Sequence, residues 1–483
     1  MHRTVCAVLL LLGISGGIEA KAKVGADTPD TLQGLSSIAD LLDSADRHPV
    51  HIIYVHGINE IGSGDSAQLR ESICTKLKLC ALSDWKNAGV EFADKGEFSP
   101  TVEPPALQYL GNPVWSDADE WHASAPFVVH WVIHLRHHPA VLVVDELNWW
   151  PLALAIKCRR IVAAEASVAG ASRPLLQACS EPSAQTPGGL GRFYAWISPE
   201  KAKELAAIRP RSVLVNRNLK DRLVDFGLSD VLLAVGPMGG ILRDGLRQLM
   251  AKSAAFDPNG AAAGSAGAEE QYDWRGQLHG KDAMDQEFVG VTHSLGSYLY
   301  FNTLSVDPPT PGQSAADAAR LAAENDAVKY IFERTSQVYF FANQLELLEI
   351  TNLENAPPAA LGAAKSRGLA PAPDIDTAPA ANVRALVARW QQLQAGFQAV
   401  LHPADEPARE KLQVVAWSDP SDVITWRVPR IGGVDVVNLY VQNATRWFGL
   451  FESPTAAHDN YSENLDVLRV MFRNTAHNHS HSP

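Results

Sequence analysis

Several features are missing from this 483-residue sequence, and each absence removes a class of function. Basic residues are in deficit: the formal net charge is −13, and no cluster of five or more lysines and arginines relieves it. Such a chain has little with which to neutralise a run of phosphates, which excludes a general nucleic-acid binder. A phosphate-cradling glycine loop and a zincin helix are both absent. Cysteine is scarce, five in all, and no two are spaced as the CxxC pair of a structural zinc site. Long apolar runs are lacking too. The Leu-, Val- and Ile-rich stretch at residues 223–250 is interrupted at Gly236-Pro237 and Gly239-Gly240, and its unbroken pieces are far shorter than the ~20 residues that span a bilayer. No internal repeat is present.

What is present is a globular composition, 46% hydrophobic and 20% charged, in a chain long enough for two domains or for one with sizeable insertions. Residues 1–22 place an early positive charge, Arg3, before a short apolar run that thins into Gly and Ser, with small-x-small options ending at Ala20 or Ala22. That order of regions reads as a secretory signal, so a secreted or periplasmic mature protein is expected. Cys6 would leave with the signal. Cys74, Cys80, Cys158 and Cys179 remain, an even number for a compartment where disulfides persist. Proximity favours Cys74–Cys80 and Cys158–Cys179 among the three pairings, with four buried thiols as the alternative. At the other end, His477, His479 and His481 lie in a polar tail, 476–483, that reads as disordered rather than as a metal site.

Between these ends the hydrophobic period alternates. Residues 31–45 set Leu32, Leu35, Ile38, Leu41 and Leu42 at helical spacing. Residues 51–55 are a continuous apolar strand that ends in His56-Gly57-Ile58-Asn59, and 66–79 read as a helix. Strands are expected at 126–135 and 140–147, the second leading to Trp149 and Trp150, which read as packing residues. From 159 to 286 the strand rhythm stops, and a mostly helical insertion capping the sheet is expected. Its apolar part, 223–250, reads either as a lid or as plain core helices. Strands return at 337–342, 411–416 and 434–441, with helices at 295–304, 328–336, 383–400 and 462–472. Residues 356–379 are a Pro- and Ala-rich excursion. The alternation predicts an α/β fold, a mostly parallel central sheet with helices on both faces.

The chemistry gathers around residues 287–299, where an apolar, β-branched run turns abruptly into a helix at Thr-His-Ser-Leu-Gly. That is the geometry of a nucleophile elbow, with Ser294 on the turn and the small Gly296 letting strand and helix pass closely. A serine hydroxyl is a poor nucleophile at neutral pH and needs a base, itself oriented by a third group. The acid is expected after a later strand, where Asp419 and Asp422 stand, and the base in the loop before the terminal helix, where His458 stands. Asp422 is preferred because Val423-Ile424 follow it back into the fold, whereas Asp419-Pro420 reads as a turn. Attack on a carbonyl also needs donors for the oxyanion. The Leu295 N–H at the elbow and that of Ile58 or Asn59 after Gly57 can supply them. The bland alternatives are a Ser-Gly turn, a capping aspartate and a surface histidine.

These four motifs, His-Gly after the first strand, Thr-His-Ser-Leu-Gly, Ser-Asp-Pro-Ser-Asp-Val-Ile and Ala-His-x-x-Tyr, together resemble the α/β-hydrolase superfamily on its lipase and esterase side. The resemblance covers residues 50–99 and 287–472, with Thr292 standing where the first glycine of G-x-S-x-G is usual. It implies a hydrolase core formed by 23–158 and 287–475, with 159–286 as a cap. It further implies a triad of Ser294, Asp422 and His458, Asp419 as the alternative acid, and the Ile58 and Leu295 amides as the oxyanion hole. The implied activity is hydrolysis of carboxylic esters, lipids among them, through an acyl-enzyme, with no metal and no cofactor. The cap offers a peripheral membrane contact. Amidase, thioesterase or peptidase action on the same fold is the nearest alternative, and a non-catalytic binding protein the more distant one.

Overall fold

The computed structural model describes residues 25–26, 35–45, 48–58, 65–80, 85–92, 125–136, 139–158, 178–179, 227–236, 238–258, 286–305, 315–345, 348, 381–401, 412–422, 424–428, 430–443 and 454–473. The apolar runs become one nine-stranded sheet. Its strands are β1 (Gly25–Ala26), β2 (Val50–Val55), β3 (Trp85–Phe92), β4 (Phe127–His134), β5 (Val141–Asn148), β6 (Glu287–His293), β7 (Thr335–Phe341), β8 (Gln413–Ser418) and β9 (Asp435–Tyr440). Their order is β1-β9-β8-β7-β6-β2-β5-β4-β3. From β9 through to β5 every neighbouring pair is parallel, while β4, β3 and the two-residue β1 join antiparallel at the edges. The sheet is thus mostly parallel and its class α/β, as the strand–helix rhythm predicts.

Helices cover both faces, because strand side chains alternate and the central strands are apolar on both sides. Ile53, Val55, Val338 and Phe340 point to one core, which is completed by α5 (Gly239–Ala255), α6 (Gly296–Asn302), α7 (Ala315–Arg334) and α8 (Ala381–Leu401). Ile52, Tyr54, Val289 and Val291 point to the other, beneath α1 (Ile38–Ser44), α2 (Ala67–Glu71) and α10 (Leu465–Arg473). Three further α-helices, α3 (Trp150–Lys157), α4 (Ser229–Val235) and α9 (Pro454–Asp459), complete the set among the described residues. Each fully buried side chain, Leu246 or Phe301 for example, contributes about 1.5–3 kcal/mol.

The apolar stretch 223–250 divides at Gly236. From Ile241 onward it is core: Ile241, Leu242, Leu246, Leu249 and Met250 of α5 are buried against the sheet. Leu228 and Leu232, by contrast, are 47% and 61% exposed. Residues 1–22, 476–483 and most of 159–286 lie outside the described residues, and with them the expected signal, tail and much of the insertion. No helix among the described residues is long and apolar enough to cross a membrane.

Boundaries move where local chemistry outweighs the period. Helix α1 starts only at Ile38, because Ser37 and Asp40 form a reciprocal capping box there. The helix expected over 66–79 is α2 followed by a π-helical turn, Ser72–Lys76. That turn leads into the Cys74–Cys80 disulfide, whose Cα atoms are 4.6 Å apart. The second bridge, Cys158–Cys179, spans 5.8 Å. Both pairs are those that proximity favours, and both suit an oxidising compartment. Helix α7 begins earlier than expected and yields to strand at Thr335, so Ser336 is extended rather than helical. Strand β3 carries no clear period-2 signal and was not legible as a strand.

One polar cluster is built into the sheet. Asp145 of β5 accepts from His51 Nδ1 at 2.7 Å and from His130 Nδ1 at 2.6 Å, and all three side chains are buried. Burial alone would raise the Asp145 carboxyl, but the two imidazoles beside it hold it below its ordinary value. Phe288 and Phe256 pack against the two rings.

Candidate active site

The strand order reverses between β2 and β6: after β2 the chain goes to the far edge and returns inward through β3, β4 and β5 on one side, and from β6 it builds outward on the other side through β7, β8 and β9. In an open α/β sheet the crevice beyond the carboxyl ends of two such strands is where ligands gather. Here β2 ends in His56-Gly57 and β6 ends in His293-Ser294.

Ser294 has φ 52°, one of three non-glycine residues with positive φ among the described residues. A left-handed L-residue is held there against a steric cost, and its side chain is thereby lifted off the strand into the crevice. Its own N–H continues the strand ladder to Phe341 O at 2.8 Å, and α6 begins two residues later with Leu295 as its N-cap residue. The Leu295 N–H therefore belongs to the helix start, where amides lack intrahelical acceptors. Two glycines make the close approach. A Cβ on Gly296 would lie 2.2 Å from Val55 O, and one on Gly57 would lie 2.7 Å from Ser294 Cβ. Ile58 follows Gly57 directly, partly buried against the α5–α8 core, while Asn59 lies outside the described residues. His56 is a packing residue: Trp149 stacks on it at 5.0 Å and donates its indole N–H to His56 O.

The two candidate acids have different surroundings. Asp422 Oδ2 meets His458 Nδ1 at 2.9 Å, and its Oδ1 caps the Ile424 amide. Asp419 accepts from the backbone of Ser421 at 2.8 Å and of Asn443 at 2.6 Å. Asn443 in turn donates to Ala457 O, so Asp419 braces the segment that carries His458 rather than touching the imidazole. Tyr461 donates toward Asp422 at 3.5 Å and accepts from the Asp419 N–H. Burial and the adjacent Asp422 carboxylate push its phenol well up, so it stays neutral. His458 itself sits in the last turn of α9, not in a loop as expected.

A bond to Asp422 makes Nδ1 of neutral His458 the protonated nitrogen and leaves the lone pair on Nε2. That Nε2 is buried without a hydrogen-bond partner among the described residues. His293, immediately before Ser294, donates from Nε2 to the His458 carbonyl at 2.8 Å. Ser294 Oγ does not bond His458 here; it accepts from Gln344 Nε2 at 2.7 Å. Sequence reasoning missed both His293 and Gln344. Gln344 has no motif, and its place follows from topology: β6 and β7 are parallel neighbours in register at His293 and Phe341, and each ends in a left-handed residue, Ser294 and Ala342.

One donor atom each from His293, His458 and Asp459 lie within 4.8 Å of one another, which could hold a divalent ion. With Nδ1 given to Asp422, His458 would have to bind such an ion through Nε2, removing the only lone pair able to act as a base. The arrangement without an ion suits proton transfer: a hydroxyl on a strained turn, an imidazole oriented by Asp422 on the residue whose carbonyl is tied to His293, and amide donors at a helix start. Comparison with protein-family models, with curated proteins and with solved structures finds no match to this chain.

Proposed function

We propose that this chain is an exported serine hydrolase of α/β-hydrolase type that cleaves carboxylic esters. The observation that carries the reading is left-handed Ser294 at the end of the central strand, with the His458–Asp422 pair hydrogen-bonded to the residue before it. Ser294 Oγ attacks the ester carbonyl carbon, its proton passes to His458 Nε2, and the carbonyl π electrons move onto oxygen, where the Leu295 and Ile58 amides receive the charge. Collapse expels the alcohol, which takes the proton from His458. Water then attacks the acyl-enzyme in the same way, and Ser294 leaves with its proton restored. Asp422 holds the imidazole tautomer throughout. Export is supported by the two disulfides and by the signal-like residues 1–22.

Acyl lipids come first among the esters, although α5 accounts for much of the apolar stretch that favours them. The support that remains is Leu228 and Leu232, an exposed i, i+4 pair at the start of α4. The test is hydrolysis of a panel of aryl esters of increasing acyl length by the mature protein and by Ser294→Ala. Loss of at least ~10³-fold in the variant is expected, since removal of a triad nucleophile costs that or more. An equal rate in the variant sinks the reading. Faster turnover of matched anilides than esters would move it to an amidase.

A further inference from the structure

Gln344 is the side chain in direct contact with the reacting oxygen. Its Nε2 lies 2.7 Å from Ser294 Oγ, and both residues are buried, at 2% and 0% exposure. Here Oε1 is buried with no hydrogen-bond partner among the described residues, so the side chain makes its one bond to the serine. A buried acceptor left unsatisfied is unfavourable, and a functional role for the carboxamide's other end is one explanation of it. The backbone fixes the contact. Ala342, at φ 51°, turns the chain off β7 beside Ser294, and Asn343 pins the next residues by donating to Trp426 O and accepting from the Leu345 amide.

Resting on the hydrolase reading of Ser294, we propose that Gln344 is a further catalytic residue, an N–H donor dedicated to the serine oxygen and most effective in deacylation. A donor on Oγ leaves the hydroxyl proton free for His458 Nε2, while its hold on an oxygen lone pair gives little help to attack. In deacylation the roles reverse. Water adds to the acyl carbon and gives its proton to His458, and collapse of the tetrahedral intermediate breaks the C–Oγ bond. The electron pair returns to Oγ, which then takes the proton from His458. Charge therefore gathers on Oγ as it leaves, and the Gln344 N–H lies beside it.

The test is pre-steady-state turnover of an activated aryl ester by wild type, Gln344→Met and Gln344→Glu. Methionine keeps the volume without the donor. The acylation burst should persist at a similar rate, while steady-state turnover falls by about 10- to 100-fold, somewhat less than the ~10²–10³ typical of an oxyanion donor. Mass spectrometry should show acyl-Ser294 accumulating. Gln344→Glu places against Oγ a carboxyl that donates while protonated and no longer does once ionised, so its rate relative to wild type should fall as pH rises and the carboxyl ionises. Gln344→Met with unchanged burst and turnover, or Gln344→Glu with a pH-independent ratio, overturns the proposal while wild-type activity leaves the hydrolase reading standing. If Gln344→Met does not fold, the Gln344→Glu ratio alone decides. Absence of any Ser294-dependent turnover in wild type overturns both.

Discussion

His293 Nε2 lies 2.8 Å from the carbonyl oxygen of His458. A carbonyl only accepts, so His293 is the donor, and the residue before the proposed nucleophile is tied to the residue that carries the proposed base. His293→Ala cuts this tie and leaves Ser294, Asp422 and His458 in place. Turnover should fall by roughly 10-fold, and stability by the ~0.5–1.5 kcal/mol of one ordinary hydrogen bond. Steady-state kinetics and urea melts read the two effects separately. Full activity in the alanine variant removes the positioning role.

The glycines make a graded prediction. A Cβ on Gly296 meets two backbone carbonyls, Val55 O at 2.2 Å and His56 O at 2.7 Å, neither of which can swing away. Gly296→Ala should cost ~3 kcal/mol or more, the upper end of overpacking, and is expected to abolish soluble expression or lower the melting temperature sharply. A Cβ on Gly57 meets Ser294 Cβ at 2.7 Å and the backbone His293 O at 3.1 Å, atoms equally fixed but less closely approached. Gly57→Ala should fold better and lose activity more than stability. The reverse ranking would place the close approach elsewhere.

The two acids separate cleanly. Asp422→Asn leaves His458 with a partner that no longer fixes the required tautomer, so kcat should fall by about 10⁴-fold with little change in melting. Asp419→Asn weakens the acceptors for the Ser421 and Asn443 amides, so its first effect is on stability, with activity retained in the folded fraction. Paired kinetics and calorimetry on both variants check this. A larger kcat loss for Asp419→Asn exchanges their roles.

Much of this architecture is legible in the residues themselves. The runs at 50–55 and 287–293 are β-branched and apolar because both faces of a parallel strand are buried, and so they stand out without an alternating pattern. Ser294-Leu295-Gly296 is visible because the elbow demands a small third residue. Other parts depend on neighbours distant in sequence. Gln344 reaches Ser294 only because β7 happens to lie beside β6, and nothing in Ala342-Asn343-Gln344 announces it. His293 looks like part of a motif, yet its partner is 165 residues away. The expected loop at His458 is a helix turn because residues 454–459 are too few to show a period. The core role of α5 was one of two readings of the same apolar stretch, since periodicity cannot tell a lid's underside from a core face.

Stability should depend on pH through the buried cluster. The Asp145 carboxyl is held below its unfolded value by His51 and His130 despite burial. Its contribution is therefore fully present above the unfolded carboxyl range, near ~4, and is lost as pH falls through the depressed folded value. Asp145→Asn should cost on the order of 2 kcal/mol at pH 7, as for a charged hydrogen-bond acceptor. It should also flatten the acid limb of the stability curve. Urea melts of both proteins from pH 7 down to pH 3 check the sign; parallel curves would contradict it.

The most direct measurement is labelling of the purified mature protein with a fluorophosphonate, with mass spectrometry to locate the modified residue and His458→Ala as control. Labelling at Ser294 that is lost in the control is the expected result, because on the proposed reading His458 is the base that activates that hydroxyl. A folded protein that stays unlabelled with or without detergent micelles, or that labels equally in His458→Ala, contradicts a serine hydrolase built on Ser294.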